Sequence, residues 1–210
     1  MKAAEYLPGT PGRLLIIADH ASNAVPAELA LGVTASRLVA DCNRSPEDDG
    51  AIPPASDGIP VPGNVLSTNA RQARLAAWHE PYHAAITEVL DGLKPQLLVS
   101  IHSFTPSLAS RPEETRPWQV ALLYNRDDRA ARIAMRVLAE DGFTVGDNEP
   151  YSGAVYGYTT DRHAEARGLS YLTFEIRQDL LADEGAIAAW TQRLGRVIGI
   201  VESELLEVIA

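Results

Sequence analysis

Residues 170–177 read SYLTFEIR, a run dominated by branched and aromatic side chains. Five of its eight residues are of these types, which predicts a strand heading into a core. Within it stands Glu175, a residue type seldom buried without a partner. Strand alternation puts Glu175 and Arg177 on one face, so a buried ion pair is one reading. The other is that the strand carries a chemical group to its far end.

Outward from this stretch, further apolar runs read as strands: RLLIIA at 13–18, SRLVAD at 36–41, PQLLVSIH at 95–102, WQVALLY at 118–124, and a short piece after Phe143. Helical periodicity runs through Leu75, Trp78, Tyr82, Ile86, Val89 and Leu90, predicting a helix over 68–92. Other helices are expected in PAELAL after Pro26, in DRAARIAMRVLAE with Gly142 as its stop, over 160–167, and over 184–207. The segment from Ser45 to Ser67 is rich in proline and glycine, which predicts a long surface loop. Alternating strands and helices without a linker or an internal repeat predict a three-layer α/β/α domain with a mixed, largely parallel sheet over 1–210.

Composition narrows the function. A net charge of -10 argues against nucleic acid or an anionic membrane surface as partner. A small anionic substrate stays open, because a few local arginines can dominate a pocket. Cys42 is the only cysteine, so no internal disulfide is possible. The first residues lack the apolar stretch of a signal peptide, and no run approaches the ~18 apolar residues of a membrane span. A cytoplasmic protein is expected.

In open α/β sheets ligands bind beyond the carboxyl ends of the strands. Three expected strands bring His20, His102 and Glu175 to such ends. Two imidazoles and a carboxylate suit a mononuclear zinc hydrolase, in which the imidazoles hold the ion and the carboxylate takes a proton from water. Spacing alone leaves the alternative open that each histidine is a hydrogen-bonded structural residue.

The segments DHASNAVP, DCNRSP, SDGIPVPGN, EPYHAAI, IHSFTP, DNEPYSG and LTFEIRQDL, in this order, resemble the N-formylglutamate amidohydrolase family from about residue 14 to residue 183. That family is distantly similar to the zinc carboxypeptidases. The resemblance implies a zinc-exopeptidase-like fold and hydrolysis of the amide bond of a small N-acyl or N-formyl amino acid such as N-formylglutamate. It implies Zn2+ held by His20, Asn23 and His102, with Glu175 as the catalytic base. Asn43 and Arg44 would grip a substrate carboxylate, and Tyr151 or Tyr158 would donate to the developing oxyanion.

The chain also departs from the family's pattern. Only the 20 residues Ala21–Ala40 separate His20 from Asp41, and an acidic segment is missing there. Asn23 stands where the carboxypeptidases have a glutamate, and Asp19 is the nearest anionic substitute. A second reading follows, a metal-free carboxylate-binding or regulatory module on a degenerate hydrolase fold.

Spacing also draws attention to other residues. His79 and His83, four apart on one helix, could chelate an ion, although a solvated or capping role suits His79 and a site-lining role His83. His163 could lie near the substrate. Arg44 could instead pair with Glu47, Asp48 or Asp49. Cys42 reads as packing, and no serine sits in a nucleophile elbow.

Overall fold

The computed structural model describes residues 13–20 and 36–209. Asn23 and the helix expected after Pro26 lie outside the described residues. Among the described residues, seven strands and five helices follow in chain order: β1 (Leu14–Ile17), β2 (Ala55–Ser56), β3 (Ile59–Pro60), α1 (Thr68–Leu93), β4 (Leu97–Phe104), β5 (Val120–Leu123), α2 (Arg129–Glu140), β6 (Val145–Asp147), α3 (Gly153–Tyr156), α4 (Tyr158–His163), β7 (Ser170–Arg177) and α5 (Glu184–Ile209).

Five strands form one sheet in the order β1-β4-β7-β5-β6. β1, β4 and β7 run parallel, β5 is antiparallel to β7, and β6 is parallel to β5. The central strands β4 and β7 are apolar on both faces, as a sheet covered by helices on both sides requires. On one face Leu97, Val99, Leu172, Phe174 and Ile176 pack against α2 and against Trp190, Leu194, Val197 and Val201 of α5. On the other, Leu15, Ile17, Leu98 and Tyr171 pack against Ile86 and Leu90 of α1.

Helix ends follow their local chemistry. Ser67 caps α1 by accepting from the Ala70 amide at 3.3 Å, and Gly142 ends α2 with φ of +86°. The loop after Ser45 holds the short β2–β3 hairpin and two 3-10 turns, Asp49–Ala51 and Pro62–Asn64.

SRLVAD does not form the expected strand. Ser36–Asp41 is a run of turns in which the Val39 amide donates back to the Ser36 carbonyl at 2.8 Å. Val39 and Ala40 are buried by packing and not by strand pairing. Serine at the start explains the turn, since its hydroxyl also accepts from the Leu38 amide at 3.2 Å.

Candidate active site

Strand alternation decides which groups converge. On β4, Leu98, Ser100 and His102 face α1, and on β7 Tyr171, Thr173 and Glu175 face the same way. The parallel register sets His102 directly beside Glu175, and the antiparallel register sets Ala121 on its other side. Glu175 is buried, and among the described residues its Oε2 has no hydrogen-bond partner. Burial pushes its pKa up, while the charges of His102, Arg37, Arg116 and Arg44 pull it back. Arg177 does not neutralise it: that guanidinium leaves the core and pairs with Asp179 at 2.8 Å.

His20 and His102 come together, their ring centroids 5.1 Å apart in an edge-on arrangement. Each gives its Nε2 to a carboxylate: His20 to Asp41 at 2.8 Å, and His102 to Asp19 at 3.0 Å. Burial lowers the pKa of His20 despite Asp41. For His102 burial is outweighed by its bond to Asp19 and the charge of Asp19, and the pKa rises. Asp41 is held at about 2, because burial is overcome by His20 and the charges of Arg37 and Arg44. Its oxygens also accept from Arg37 at 2.6 Å and from the Asn43 amide at 2.9 Å.

Asp19 is the most heavily bonded acid of the site. Its side chain is fully buried and accepts from Tyr82 at 2.7 Å, Thr159 at 2.8 Å and Ser100 at 3.4 Å besides His102. Burial would raise its pKa, but these bonds and the nearby histidines hold it well below the ordinary carboxylate range.

Metal-binding histidines characteristically give one ring nitrogen to a carboxylate and keep the other for the ion. His20 and His102 fit that pattern, since neither Nδ1 has a partner among the described residues. Among the described residues they are the two imidazole donors of this pocket. Among the described residues, no three His, Cys, Asp or Glu are grouped to hold an ion by themselves. The pair therefore fits half of a metal site.

The Asn43-Arg44 pair lies at the same edge. Asn43 is buried, its Oδ1 accepting from the Thr159 amide at 2.9 Å. Arg44 donates to the carbonyls of Asn43 at 3.1 Å and Tyr156 at 3.4 Å, and its guanidinium stacks 4.5 Å above the Tyr156 ring. Among the described residues it pairs with no carboxylate, so the alternative of an ion pair with residues 47–49 is not realised; Asp48 instead caps the Gly50 amide at 2.7 Å.

Tyr151 is held by a buried arginine. Its hydroxyl accepts from Arg116 at 2.9 Å, and Arg116 is itself tied to Glu114 and to the Thr105 carbonyl. The Tyr151 segment sits close against β5, because Asn148 bridges the amides of Tyr124 and Gly153. A Cβ at Gly153 would lie 2.5 Å from Tyr124 N, so only glycine permits this approach. Tyr158 accepts from Arg162 at 2.9 Å and lays its ring against His79 and His83.

The remaining histidines differ from expectation. His79, His83 and His163 are all buried. His83 Nδ1 meets His163 Nε2 at 2.8 Å and its Nε2 meets the Cys42 carbonyl at 2.9 Å, so the two helix histidines form no chelate. His79 has no solvated role, because its Nε2 lies 2.9 Å from the Arg44 carbonyl. The sequence held a signal for this: the buried stripe of α1 runs Leu75, His79, His83, Ile86, Leu90, a single helical face on which both histidines continue the apolar line. Arg116, Tyr156 and Asp19 as a histidine partner are further site residues that periodicity could not single out. Cys42 is buried packing, its pKa pushed up to about 12 by burial and the charges of Asp19 and Asp41.

A mixed sheet covered on both faces, with a buried carboxylate and carboxylate-backed histidines at the ends of adjacent parallel strands, defines an α/β protein of the hydrolase class. The chain belongs to the N-formylglutamate amidohydrolase family, whose model matches residues 30–182. It is similar to the crystal structure of gene product Atu2144 from Agrobacterium tumefaciens, at 29% identity and a TM-score of 0.84, over 92% of this chain and 92% of that one. The fold is also shared with N-formylglutamate amidohydrolase from Ralstonia eutropha JMP134, at 19% identity and a TM-score of 0.63, over 93% of this chain and 94% of that one. No protein of curated function matches the chain. Among the described residues, no helix is long and apolar enough to cross a membrane.

Proposed function

We propose that this protein hydrolyses the amide bond of a small N-acyl amino acid, N-formylglutamate or a close analogue, with Glu175 as general base. Family membership supports the reaction class. The observation that carries the reading is the buried Glu175 carboxylate, one oxygen unpartnered, beside His102 on the neighbouring strand.

Glu175 takes a proton from water as the water oxygen attacks the acyl carbon. The tetrahedral oxyanion accepts a hydrogen bond from Tyr151, whose hydroxyl is already an acceptor toward Arg116 and so has its own proton to give. Glu175 then delivers the proton to the amine nitrogen as the C–N bond breaks, which yields the free acid and the amino acid. Asn43 and Arg44 hold the substrate carboxylate. Tyr158 packs its ring against His79 and His83, whose Nε2 atoms reach the carbonyls flanking Asn43. A zinc ion would be held by His20 and His102 together with Asn23, and when bound would lower the pKa of water and polarise the acyl oxygen.

Formate release from N-formylglutamate tests the reaction. Purified protein is expected to turn this substrate over, to lose activity with a chelator, and to regain it with Zn2+. Metal-saturated protein that hydrolyses no N-formyl or N-acyl amino acid would defeat the proposal. If that protein nevertheless binds acidic ligands, it is the carboxylate-binding module.

Arg44 offers a second measurement. A bidentate, partly desolvated contact to carboxylate contributes about 1.5–3 kcal/mol, or roughly 10- to 150-fold in binding. Arg44→Ala is expected to raise KM by that factor, and Arg44→Lys to recover part of the loss because it keeps charge without the fork. Since Arg44 pairs with no carboxylate among the described residues and the truncation removes only two carbonyl contacts and the stacking on Tyr156, Tm should fall only modestly. Unchanged KM with a lowered Tm would remove Arg44 from substrate recognition.

A further inference from the structure

We propose that His79 and His83 are positioning residues that lock the substrate-carboxylate clamp from behind. The inference rests on the reading of Asn43-Arg44 given above. Two successive turns of α1 carry the imidazoles, ring centroids 4.5 Å apart, to the carbonyls on either side of Asn43. His79 Nε2 reaches the Arg44 carbonyl at 2.9 Å and His83 Nε2 the Cys42 carbonyl at 2.9 Å.

A carbonyl can only accept, so both Nε2 atoms carry protons. In neutral His83 the Nδ1 is then an acceptor, and it receives the Nε2 proton of His163 at 2.8 Å. His163 thereby fixes the tautomer that His83 needs. Burial, with the neighbouring imidazoles and the charge of Arg162 opposing a further proton, lowers the pKa of His83 to about 3. Burial, with Arg162 and Arg167, lowers that of His163 to about 4, so the relay stays neutral at physiological pH.

Thr159 completes the hold on the loop. Its amide donates to Asn43 Oδ1 at 2.9 Å and its hydroxyl lies 3.3 Å from the Cys42 carbonyl. Residues 42, 43 and 44 are therefore each anchored by a buried group. The loop has no sheet pairing of its own to set its backbone, and the histidines supply the fixed geometry that a two-point carboxylate contact requires.

The test is the Kd of N-formylglutamate, measured calorimetrically in the Glu175→Gln background so that turnover plays no part. Leaving a buried carbonyl unpaired corresponds to roughly 5- to 100-fold in affinity. His79→Phe, which keeps the ring but loses the donor, is expected to weaken binding in that range. His79→Gln can still donate from a similar position and should bind within about threefold of the parent. Because His79 acts through Arg44, His79→Phe placed on Arg44→Ala should add almost nothing, whereas a merely structural effect would add in full.

Full additivity overturns the inference, as does a folded Gln variant that binds as weakly as Arg44→Ala. If His79→Phe fails to fold, the Gln variant alone decides, by the same threshold. A parent that does not bind N-formylglutamate, or an Arg44→Ala variant that binds as well as the parent, overturns the clamp itself and the inference with it.

Discussion

Glu175→Gln is expected to lower kcat by about 10²-fold or more, the usual scale for loss of a general base, while the folded protein becomes no less stable. The two halves of this result have separate causes. Catalysis needs a group that can take a proton, and an amide cannot. Stability responds to burial: the Glu175 carboxylate lies in the sheet with Oε2 unpartnered, and burial pushes its pKa up. A neutral amide of the same shape removes that desolvation cost. Steady-state rates of formate release and a thermal melt on one preparation read both effects. Full activity in the variant would take Glu175 out of the chemistry. A large drop in Tm would mean that its charge is used structurally.

Removing the neighbouring acid should have the opposite balance. Asp19→Ala is expected to cost about 3–5 kcal/mol of stability, the scale for breaking a buried charge pair, out of a total that for domains is about 5–15 kcal/mol. The Asp19 side chain gathers donors from three elements: Tyr82 on α1, Ser100 and His102 on β4, and Thr159 on α4. Truncation leaves the buried Tyr82 hydroxyl without an acceptor, leaves Thr159 only its longer contact to the Cys42 carbonyl and Ser100 only its contact with His102, and removes the negative charge that raises the pKa of His102. Asp19→Asn should fall between, since one amide oxygen can still accept. Urea unfolding at neutral pH measures the difference. A loss below about 1 kcal/mol, the size of one ordinary hydrogen bond, would show that the network relaxes around the gap.

Much of the fold is legible in the chain. PQLLVSIH and SYLTFEIR are continuous apolar runs because β4 and β7 are covered on both faces, and burial on both sides leaves no other composition workable. The apolar stripe of α2 and its stop at Gly142 follow from helical period and from a positive φ that glycine adopts freely. SRLVAD misleads because apolar content reports burial, and burial without strand pairing looks the same in sequence.

The site divides in the same way. His20, His102 and Glu175 announce themselves by position, since each follows or ends an apolar run where a parallel sheet opens to ligands. Their convergence needs the strand order, which sets β1 beside β4 and β4 beside β7 and so turns residues far apart in sequence into neighbours. Partner choice lies wholly in tertiary structure. Glu175 and Arg177 share a face of one strand, yet Arg177 turns to Asp179 and Glu175 keeps a free oxygen. Likewise His79 and His83 look like a surface chelate by spacing and are instead buried donors to the Arg44 and Cys42 carbonyls. Composition and period along one chain report how much surface is buried, a sum over many weak contacts that survives averaging. A hydrogen-bond partner depends on the distance and angle between two particular groups, and only the folded chain sets those.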